Sequence, residues 1–314
     1  MLPIAQQPIH TSAPQPVGSV TVQSTTPSTW GLERISHDRA LSRNKDPLEF
    51  NYTYRYKNPS HRIGVDGYII DTGVMLAHEA FGGRATFGAN FTPGVNQDFD
   101  DGDMDGHGTH IGGILGGDRV GVARNVKIIS VKALGADAGA TELTRAVDWV
   151  TAQAMASGNP SIICICFGLP VEGADPIGDF ESAVNNAVNH GVHVVVAAGN
   201  SNEDASNVTP ARLASVMTVG ASTIRDERWP DSNFGAVVNV FAPGANIISA
   251  SHGFIDRYQQ LSGTSGAAPY VAGVMVNWIE VAGVNRPPAQ MIADIEAAAF
   301  SDMLDLGRVS PGTP

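Results

Sequence analysis

The first six residues of 101-DGDMDGHGTH-110 match the opening of a calcium-binding EF-hand loop, with aspartates at alternate positions followed by Gly106. An EF-hand loop also requires a bidentate Glu at its twelfth position. Counting from Asp101, that position is Gly112, which has no side-chain oxygen. The stretch therefore fails to predict an EF-hand site.

The last four residues of the same stretch place His107 and His110 three positions apart. A zinc-binding zincin helix has two histidines four apart and a Glu directly after the first, whereas Gly108 and Thr109 stand between the histidines here. What remains is His107 as a candidate base at the start of a helix. We expect the acidic, glycine-rich loop before it to be solvated.

Polar residues end two of the apolar runs in the chain. Asp71 ends the run in 69-IIDTG-73, and Asn200 ends 192-VHVVVAAGN-200. Each residue has an ordinary structural explanation, because Asp and Asn often close turns. Neither residue alone predicts a function.

Ser265 lies where a glycine-containing turn enters a predicted helix, in 261-LSGTSGAAPYVAG-273. Pro269 is tolerated only in the first turn of a helix, so we predict that this helix starts at Ser265. A hydroxyl there lies beside unpaired backbone amides and the positive end of the helix dipole, where an oxyanion is stabilised. The alternative is an ordinary N-cap serine.

Asp71, His107 and Ser265 together are the three groups of nucleophilic acyl transfer, in the chain order Asp, His, Ser. An α/β-hydrolase would need its histidine after the serine, but no histidine follows His252. The segment 263-GTSGA-267 also lacks the closing glycine of a nucleophile elbow. A chymotrypsin-like enzyme would need an all-β chain. The observed order on an α/β scaffold is that of subtilisin.

The elements that must position these groups alternate between strands and helices. Short apolar runs predict strands at 67–71, 127–134, 161–167, 192–199, 216–221 and 237–242, and helical patterns cover 107–116, 141–157, 178–190, 265–282 and 288–299. Continuous Val/Ile runs are typical of parallel strands that are buried on both faces. We therefore predict an α/β fold with a doubly wound, mostly parallel central sheet and helices on both faces, whose ligands bind beyond the carboxyl ends of the strands.

Composition indicates a single folded domain. The 314 residues are 43% hydrophobic and only 16% charged. The Pro-, Ser-, Thr- and Gln-rich start predicts a flexible arm over 1–28, followed by the domain over 29–300 and a tail over 301–314. The net charge of −12 argues against nucleic acid or an anionic membrane as a partner, and no apolar run approaches the length of a membrane span.

Cys164 and Cys166 are the two cysteines of the chain. At positions i and i+2 of a strand their side chains leave the same face, with Cα atoms about 6.5–7 Å apart, at the limit for a disulfide. We predict two free, buried thiols.

The chain resembles subtilisin-like serine proteases, the subtilase family, and within it the proteinase K-like fungal branch. The resemblance is carried by 69-IIDTGV-74, 107-HGTHIGG-113, 196-VAAGN-200 and 262-SGTSGAAPYVAG-273, with support from 30-WGLERIS-36 and 239-NVFAPG-244. It covers about residues 30–280.

The resemblance implies a serine endopeptidase in which Ser265 is the nucleophile, His107 the general base and then acid, and Asp71 the carboxylate that orients the imidazole. Asn200 and the Ser265 amide would form the oxyanion hole, and His110 would be a packed helix residue. The implied substrate-binding residues, which suit apolar or aromatic side chains before the scissile bond, are Ala138, Gly139, Ala140, Cys166, Phe167, Gly168, Ala197, Ala198 and Gly199.

Five positions depart from the family pattern. Gly266 and Tyr270 stand where the family has Met and His, and Cys166-Phe167 stands where it has Ser-Leu. We expect Gly266 to leave a small void and to loosen the backbone. Asn239 replaces the Asp of a calcium site in the fungal branch, so we expect no strong calcium site there and no cofactor.

The resemblance further implies a secreted monomer that acts on polypeptides, with a pro-region or a protein inhibitor as further partners. Only about 28 residues precede Trp30, fewer than a pro-region of the family needs, so the resemblance implies a processed product or an incomplete gene model. Two other hypotheses remain open. Gly266 and Tyr270 motivate a pseudoprotease that binds peptides, and the acidic loop motivates a calcium-binding protein.

Overall fold

The computed structural model describes residues 20–41, 45–57, 59, 62–93, 102–135, 139–171 and 177–300. The strands of these residues are β1 (Val20–Ser28), β2 (Tyr52–Lys57), β3 (Asp66–Asp71), β4 (Ala85–Asn90), β5 (Lys127–Lys132), β6 (Ser161–Ile165), β7 (Leu169–Pro170), β8 (His193–Ala197), β9 (Val208–Thr209), β10 (Met217–Ser222), β11 (Val240–Pro243), β12 (Ile247–Ala250) and β13 (Tyr258–Leu261). The α-helices are α1 (Trp30–Ile35), α2 (His107–Gly116), α3 (Ala140–Ser157), α4 (Ile177–Asn189), α5 (Thr264–Ala282) and α6 (Pro288–Ala298).

Seven strands form one central sheet in the order β11-β10-β8-β6-β3-β5-β4. Every neighbouring pair in it is parallel. Strands β5 and β6 lie on opposite sides of β3, so the direction of winding changes at β3. In sheets of this kind the crevice for a ligand opens at the carboxyl ends of the strands around that change. Asp71 is the last residue of β3.

The two faces of the sheet are covered by separate apolar cores, because successive side chains of a strand point to opposite faces. On one face, Ile162 and Cys164 of β6 pack in the core that includes residues of α2 and α5. On the other face, Ile163 and Ile165 pack with residues of α3 and α4. The predicted α/β fold with helices on both faces is confirmed.

The six predicted strands correspond to β3, β5, β6, β8, β10 and β11, and the five predicted helices to α2–α6. The N-terminal segment differs from expectation. Residues 1–19 lie outside the described part, but Val20–Ser28, assigned to the flexible arm, forms β1 and pairs antiparallel with β2. Backbone hydrogen bonds to a distant strand hold this polar segment, and they leave little trace in its sequence. The predicted tail at 301–314 also lies outside the described residues.

The cysteine prediction is confirmed. Cys164 and Cys166 are free and buried, and their sulfur atoms lie 3.3 Å apart on one face of the sheet. In the part of the chain that the structure describes, no helix is both long enough and apolar enough to cross a membrane.

Candidate active site

Asp71 and His107 meet beyond the carboxyl end of β3. The Nδ1 atom of His107 lies 2.7 Å from Oδ1 of Asp71, which also accepts a hydrogen bond from the Thr72 amide at 2.8 Å. The Asp71 side chain is fully buried, whereas the His107 side chain is 26% exposed. The carboxylate thus holds one ring nitrogen while the imidazole stays accessible from solvent.

A glycine allows helix α2 to come this close to β3. A β-carbon on Gly108 would lie 2.0 Å from the Gly73 carbonyl oxygen and 3.1 Å from the β-carbon of Asp71. The Gly108 amide donates to the Thr72 hydroxyl at 3.0 Å. Any larger residue at position 108 would push His107 away from its carboxylate.

The acidic loop before α2 differs from the solvated loop that we expected. Asp103 is only 6% exposed. Its carboxylate accepts five hydrogen bonds, from the hydroxyls of Thr72 and Thr109 and from the amides of Asp105, Gly106 and Thr109. This carboxylate therefore ties the loop to the start of α2. The reason for the difference is that the loop supplies backbone amides that need an acceptor once they are buried.

The charge of Asp71 controls the acidity of His107. Burial by itself would lower the pKa of His107, but the Asp71 carboxylate and its hydrogen bond, helped by Asp105 and Asp103, raise the pKa to about 9. His110, one turn along α2, is buried without such a partner, and burial lowers its pKa to about 4. Its Nε2 donates to the Ile247 carbonyl at 3.0 Å, as a packed helix residue would.

Ser265 and Asn200 meet at the start of α5, which begins at Thr264, one residue earlier than predicted. Before it, Gly263 has φ 155°, a conformation that L-residues with side chains rarely adopt. A β-carbon on Gly263 would lie 3.1 Å from Ser265 Oγ and 3.4 Å from Asn200 Nδ2. The hydroxyl and the amide nitrogen therefore border one small space.

The Asn200 side chain is oriented by Thr264. Its Oδ1 accepts hydrogen bonds from the Thr264 amide and the Thr264 hydroxyl, both at 2.8 Å. None of the described residues accepts a hydrogen bond from Asn200 Nδ2. This amide nitrogen is therefore a free donor beside the Ser265 hydroxyl.

Helices α2 and α5, which carry His107 and Ser265, pack against each other. Among the hydrogen bonds of the described residues, none joins Ser265 Oγ to the His107 ring. Catalytic hydrogen bonds of this kind often tighten only when substrate binds. The structure thus places an Asp71–His107 pair at the start of α2 and a Ser265–Asn200 pair at the start of α5, and these two helices pack together.

A cavity of about 200 Å³ opens beside Thr264 and Asn200, and we call it the specificity pocket. Five of the predicted substrate-binding residues line it: Cys166, Phe167, Gly168, Ala197 and Gly199. Burial raises the pKa of the Cys166 thiol, which keeps this wall neutral. The remaining described lining residues are Pro170, Ser201, Glu203 and Val208. The sequence contains no local signal for these four, since Ser201 and Glu203 lie in a loop and Pro170 and Val208 lie in the two-residue strands β7 and β9.

Three other predicted substrate-binding residues, Gly139, Ala140 and Ala198, are not among the described residues that line this pocket. Ala198 is fully buried and packs with Ala205 and Val238. Gly139 and Ala140 stand at the start of α3, where the Gly139 amide donates to the Glu142 carboxylate at 3.0 Å. Ala138 lies outside the described residues.

The structure shows the surroundings of Gly266 and Tyr270, two of the residues that depart from the family pattern. A β-carbon on Gly266 would lie 3.6 Å from the Ile247 side chain, an ordinary contact distance, so the site has room for a methyl group. Tyr270 is fully buried, and its hydroxyl lies 3.4 Å from that of Thr29, so it packs against the start of α1.

Asn239 is unsuited to bind calcium here. Its Oδ1 accepts from the Thr218 amide at 2.7 Å, and its Nδ2 donates to Glu296 at 2.8 Å. Within the described residues, no group of three or more His, Cys, Asp or Glu side chains is placed to hold a metal ion.

The chain is similar to known serine proteases along most of its length. Residues 68–301 match the model of the subtilase family. The chain is 42% identical over 253 residues to the alkaline serine exoprotease A of Vibrio alginolyticus, covering 80% of this chain and 43% of that protein. It is 36% identical over 305 residues to the extracellular serine proteinase of a Thermus species, covering 96% of this chain and 68% of the relative.

A solved structure gives the same fold. The chain matches a cold-adapted subtilisin-like serine proteinase with a TM-score of 0.77 and 35% identity, covering 92% of this chain and 97% of the other. The subtilisin-like protease 3 of Pseudogymnoascus destructans is 41% identical over 262 residues, covering 82% of this chain and 61% of the relative. The chain thus spans less than two thirds of the length of several curated relatives that it matches.

Proposed function

The chain belongs to the subtilase family, and from this membership we propose that it is a serine endopeptidase that hydrolyses peptide bonds through an acyl-enzyme. The observation that carries the proposal is the buried Asp71 carboxylate, 2.7 Å from His107 Nδ1, on the same sheet edge as the Ser265–Asn200 pair. The names of the relatives, which are all proteases, support the same activity and do not favour a peptide-binding pseudoprotease.

In the proposed reaction, Ser265 Oγ attacks the carbonyl carbon of the scissile bond while its proton passes to His107 Nε2. Asp71 remains ionised and stabilises the imidazolium that forms. The oxyanion of the tetrahedral intermediate accepts hydrogen bonds from Asn200 Nδ2 and from the Ser265 amide. Collapse of the intermediate releases the amine, which takes the proton from His107, and water then hydrolyses the Ser265 ester by the same steps.

Substrate is proposed to bind as an added strand between residues 138–140 and 166–168. The side chain of the residue before the scissile bond would then enter the specificity pocket. The walls formed by Phe167, Ala197 and Val208 suit apolar and aromatic side chains. We propose that the protein is secreted, as the name of the Thermus relative suggests by similarity. We further propose that it is a monomer, with a pro-region or a protein inhibitor as further partners of the site.

Covalent labelling tests the proposal. A serine-directed fluorophosphonate is expected to modify Ser265 in the folded protein, and the Ser265→Ala variant and heat-denatured protein serve as controls. Absence of label on folded native protein would contradict the activity. A peptide library is then digested with and without the fluorophosphonate, and the fragments are analysed by mass spectrometry. The fragments distinguish internal cleavage from removal of terminal residues.

A further inference from the structure

The specificity pocket has one charged feature in otherwise neutral walls. Of the described residues that line it, Glu203 alone is acidic or basic. It follows Asn200 by three positions and stands in the loop that leads to Val208 on the pocket wall. A charged residue at this place does not follow from an apolar preference alone, because an apolar side chain that covered its carboxylate would remove water from the charge at a cost in free energy.

The backbone at Glu203 is fixed. Its amide donates to Asn233 Oδ1 at 3.1 Å, and its carbonyl accepts from the Phe234 amide at 3.0 Å. Asn233 Oδ1 also accepts from the Ser201 amide at 2.9 Å, and Asn233 Nδ2 donates to the Ala198 carbonyl at 3.0 Å. The buried Asn233 amide therefore holds the loop that presents Glu203 to the wall that contains Ala197 and Gly199.

The carboxylate of Glu203 is not used by the fold. None of the described residues forms a hydrogen bond or an ion pair with it. The nearby cation Arg228 is engaged elsewhere, since it donates to Asn202 Oδ1 at 2.9 Å and to backbone carbonyls and stacks on Phe234. The charge at the pocket is therefore available to a ligand.

We propose that Glu203 is a specificity-determining residue that favours lysine or arginine before the scissile bond over an uncharged side chain of the same length. The methylene groups of such a side chain would pack on Phe167, Ala197 and Val208, and its cationic end would pair with the carboxylate. This inference rests on the proposed function and adds a charged end to the apolar preference stated above.

The expected effect is moderate because Glu203 is exposed. Ion pairs at exposed sites are screened by water and salt, so we expect about a 2- to 5-fold gain in kcat/KM at low ionic strength. Aspartate and glutamate before the scissile bond should be disfavoured by a similar factor, because like charges repel.

The test uses peptide substrates that differ only in charge, with arginine or citrulline before the scissile bond. Native protein should cleave the arginine peptide about 2- to 5-fold faster in kcat/KM, and the ratio should fall towards one in Glu203→Gln and at high salt. Glu227→Gln makes the same chemical change outside the pocket and should keep the native ratio. An unchanged ratio in Glu203→Gln would overturn the role of Glu203.

A binding measurement separates this inference from the proposed function. The Ser265→Ala variant keeps the pocket, and its affinity for both peptides can be measured by calorimetry whether or not the native protein cleaves them. Failure to cleave either peptide would count against the endopeptidase. Equal affinity of Ser265→Ala for the arginine and citrulline peptides would count against Glu203 alone.

Discussion

The oxygen of the Asn200 side chain accepts two hydrogen bonds from a single neighbour, the amide and the hydroxyl of Thr264, each at 2.8 Å. Thr264 is fully buried, and its hydroxyl in turn accepts from the Gly199 amide at 3.1 Å. The side chain of Asn200 is therefore locked by the residue that precedes the candidate nucleophile. This arrangement directs the free Nδ2 donor to the place where an oxyanion would form.

The two halves of the Asn200 amide can be tested separately. Asn200→Asp keeps the oxygen that Thr264 needs but removes the Nδ2 donor, so we expect near-native thermal stability with a loss of about 10²–10³ in kcat, an order taken from subtilisin itself. Asn200→Ala removes both halves and should also destabilise the fold by about 1–2 kcal/mol, since the Thr264 donors lose their acceptor. Kinetics with a fluorogenic peptide and thermal unfolding measure the two effects. Full activity in Asn200→Asp would contradict the oxyanion role.

The pKa of about 9 for His107 predicts that the protein is most active at alkaline pH. The imidazole must be neutral to accept the Ser265 proton, so kcat/KM should rise with pH and level off above about 9. Because the folded pKa lies above the unfolded value of about 6.5, the Asp71–His107 pair stabilises the fold fully below pH 6.5. That contribution should be lost as the pH rises through about 9. A pH–rate profile with its inflection at or below 6.5 would contradict the pairing.

Replacing the carboxylate should move the profile in a defined direction. In Asp71→Asn the charge that raises the His107 pKa is gone while burial remains, so the inflection should shift to lower pH. We expect kcat to fall by about 10⁴, again the order known for subtilisin, because the imidazole loses its orientation and its counter-charge. Residual activity with an unmoved inflection would show that Asp71 does not set the acidity of His107.

A strand could be predicted from the sequence when its own residues form a recognisable local pattern. Strands β3, β6 and β8 are continuous apolar runs, so their burial on both faces follows from composition. Strand β4, with the sequence ATFGAN, escaped prediction because it contains no continuous apolar run. Strand β1 escaped because it depends on a partner about 30 residues away, which a local pattern does not encode.

Some residues of the candidate site could likewise be predicted from the sequence, and others could not. Asp71 and His107 could be singled out because their residue types, positions and chain order are informative, and the structure brings them together. The role of Asp103 could not be predicted, since an aspartate in a Gly-rich loop has the same sequence whether it is solvated or buried. Glu203 reaches the pocket only through the loop that Asn233 anchors, and that contact is 30 positions distant in the chain.

Asp103 supplies a test of the loop before α2. In Asp103→Asn, an NH₂ group replaces one of the oxygens that together accept five hydrogen bonds, so at least one buried donor faces another donor. We expect a loss of about 1–3 kcal/mol in the free energy of unfolding and a reduced kcat, because His107 begins the helix that this carboxylate holds. Asp148→Asn is a matched control that makes the same chemical change at an exposed aspartate of α3. Equal stability of the two variants would restore the solvated-loop interpretation.

Gly266 and Gly108 give opposite expectations for the same substitution. A β-carbon on Gly266 meets no atom within 3.6 Å, so Gly266→Ala should relieve the conformational cost of glycine in α5 and stabilise the fold by about 0.5–1 kcal/mol with little change in kcat. A β-carbon on Gly108 would lie 2.0 Å from the Gly73 carbonyl oxygen. Gly108→Ala should therefore destabilise the protein by about 1–3 kcal/mol or more and lower kcat, since α2 must move and carry His107 away from Asp71. Thermal unfolding and peptide kinetics on both variants measure this contrast. A Gly266→Ala variant that folds well but loses activity would mean that the family departure at this position is needed for the geometry of Ser265.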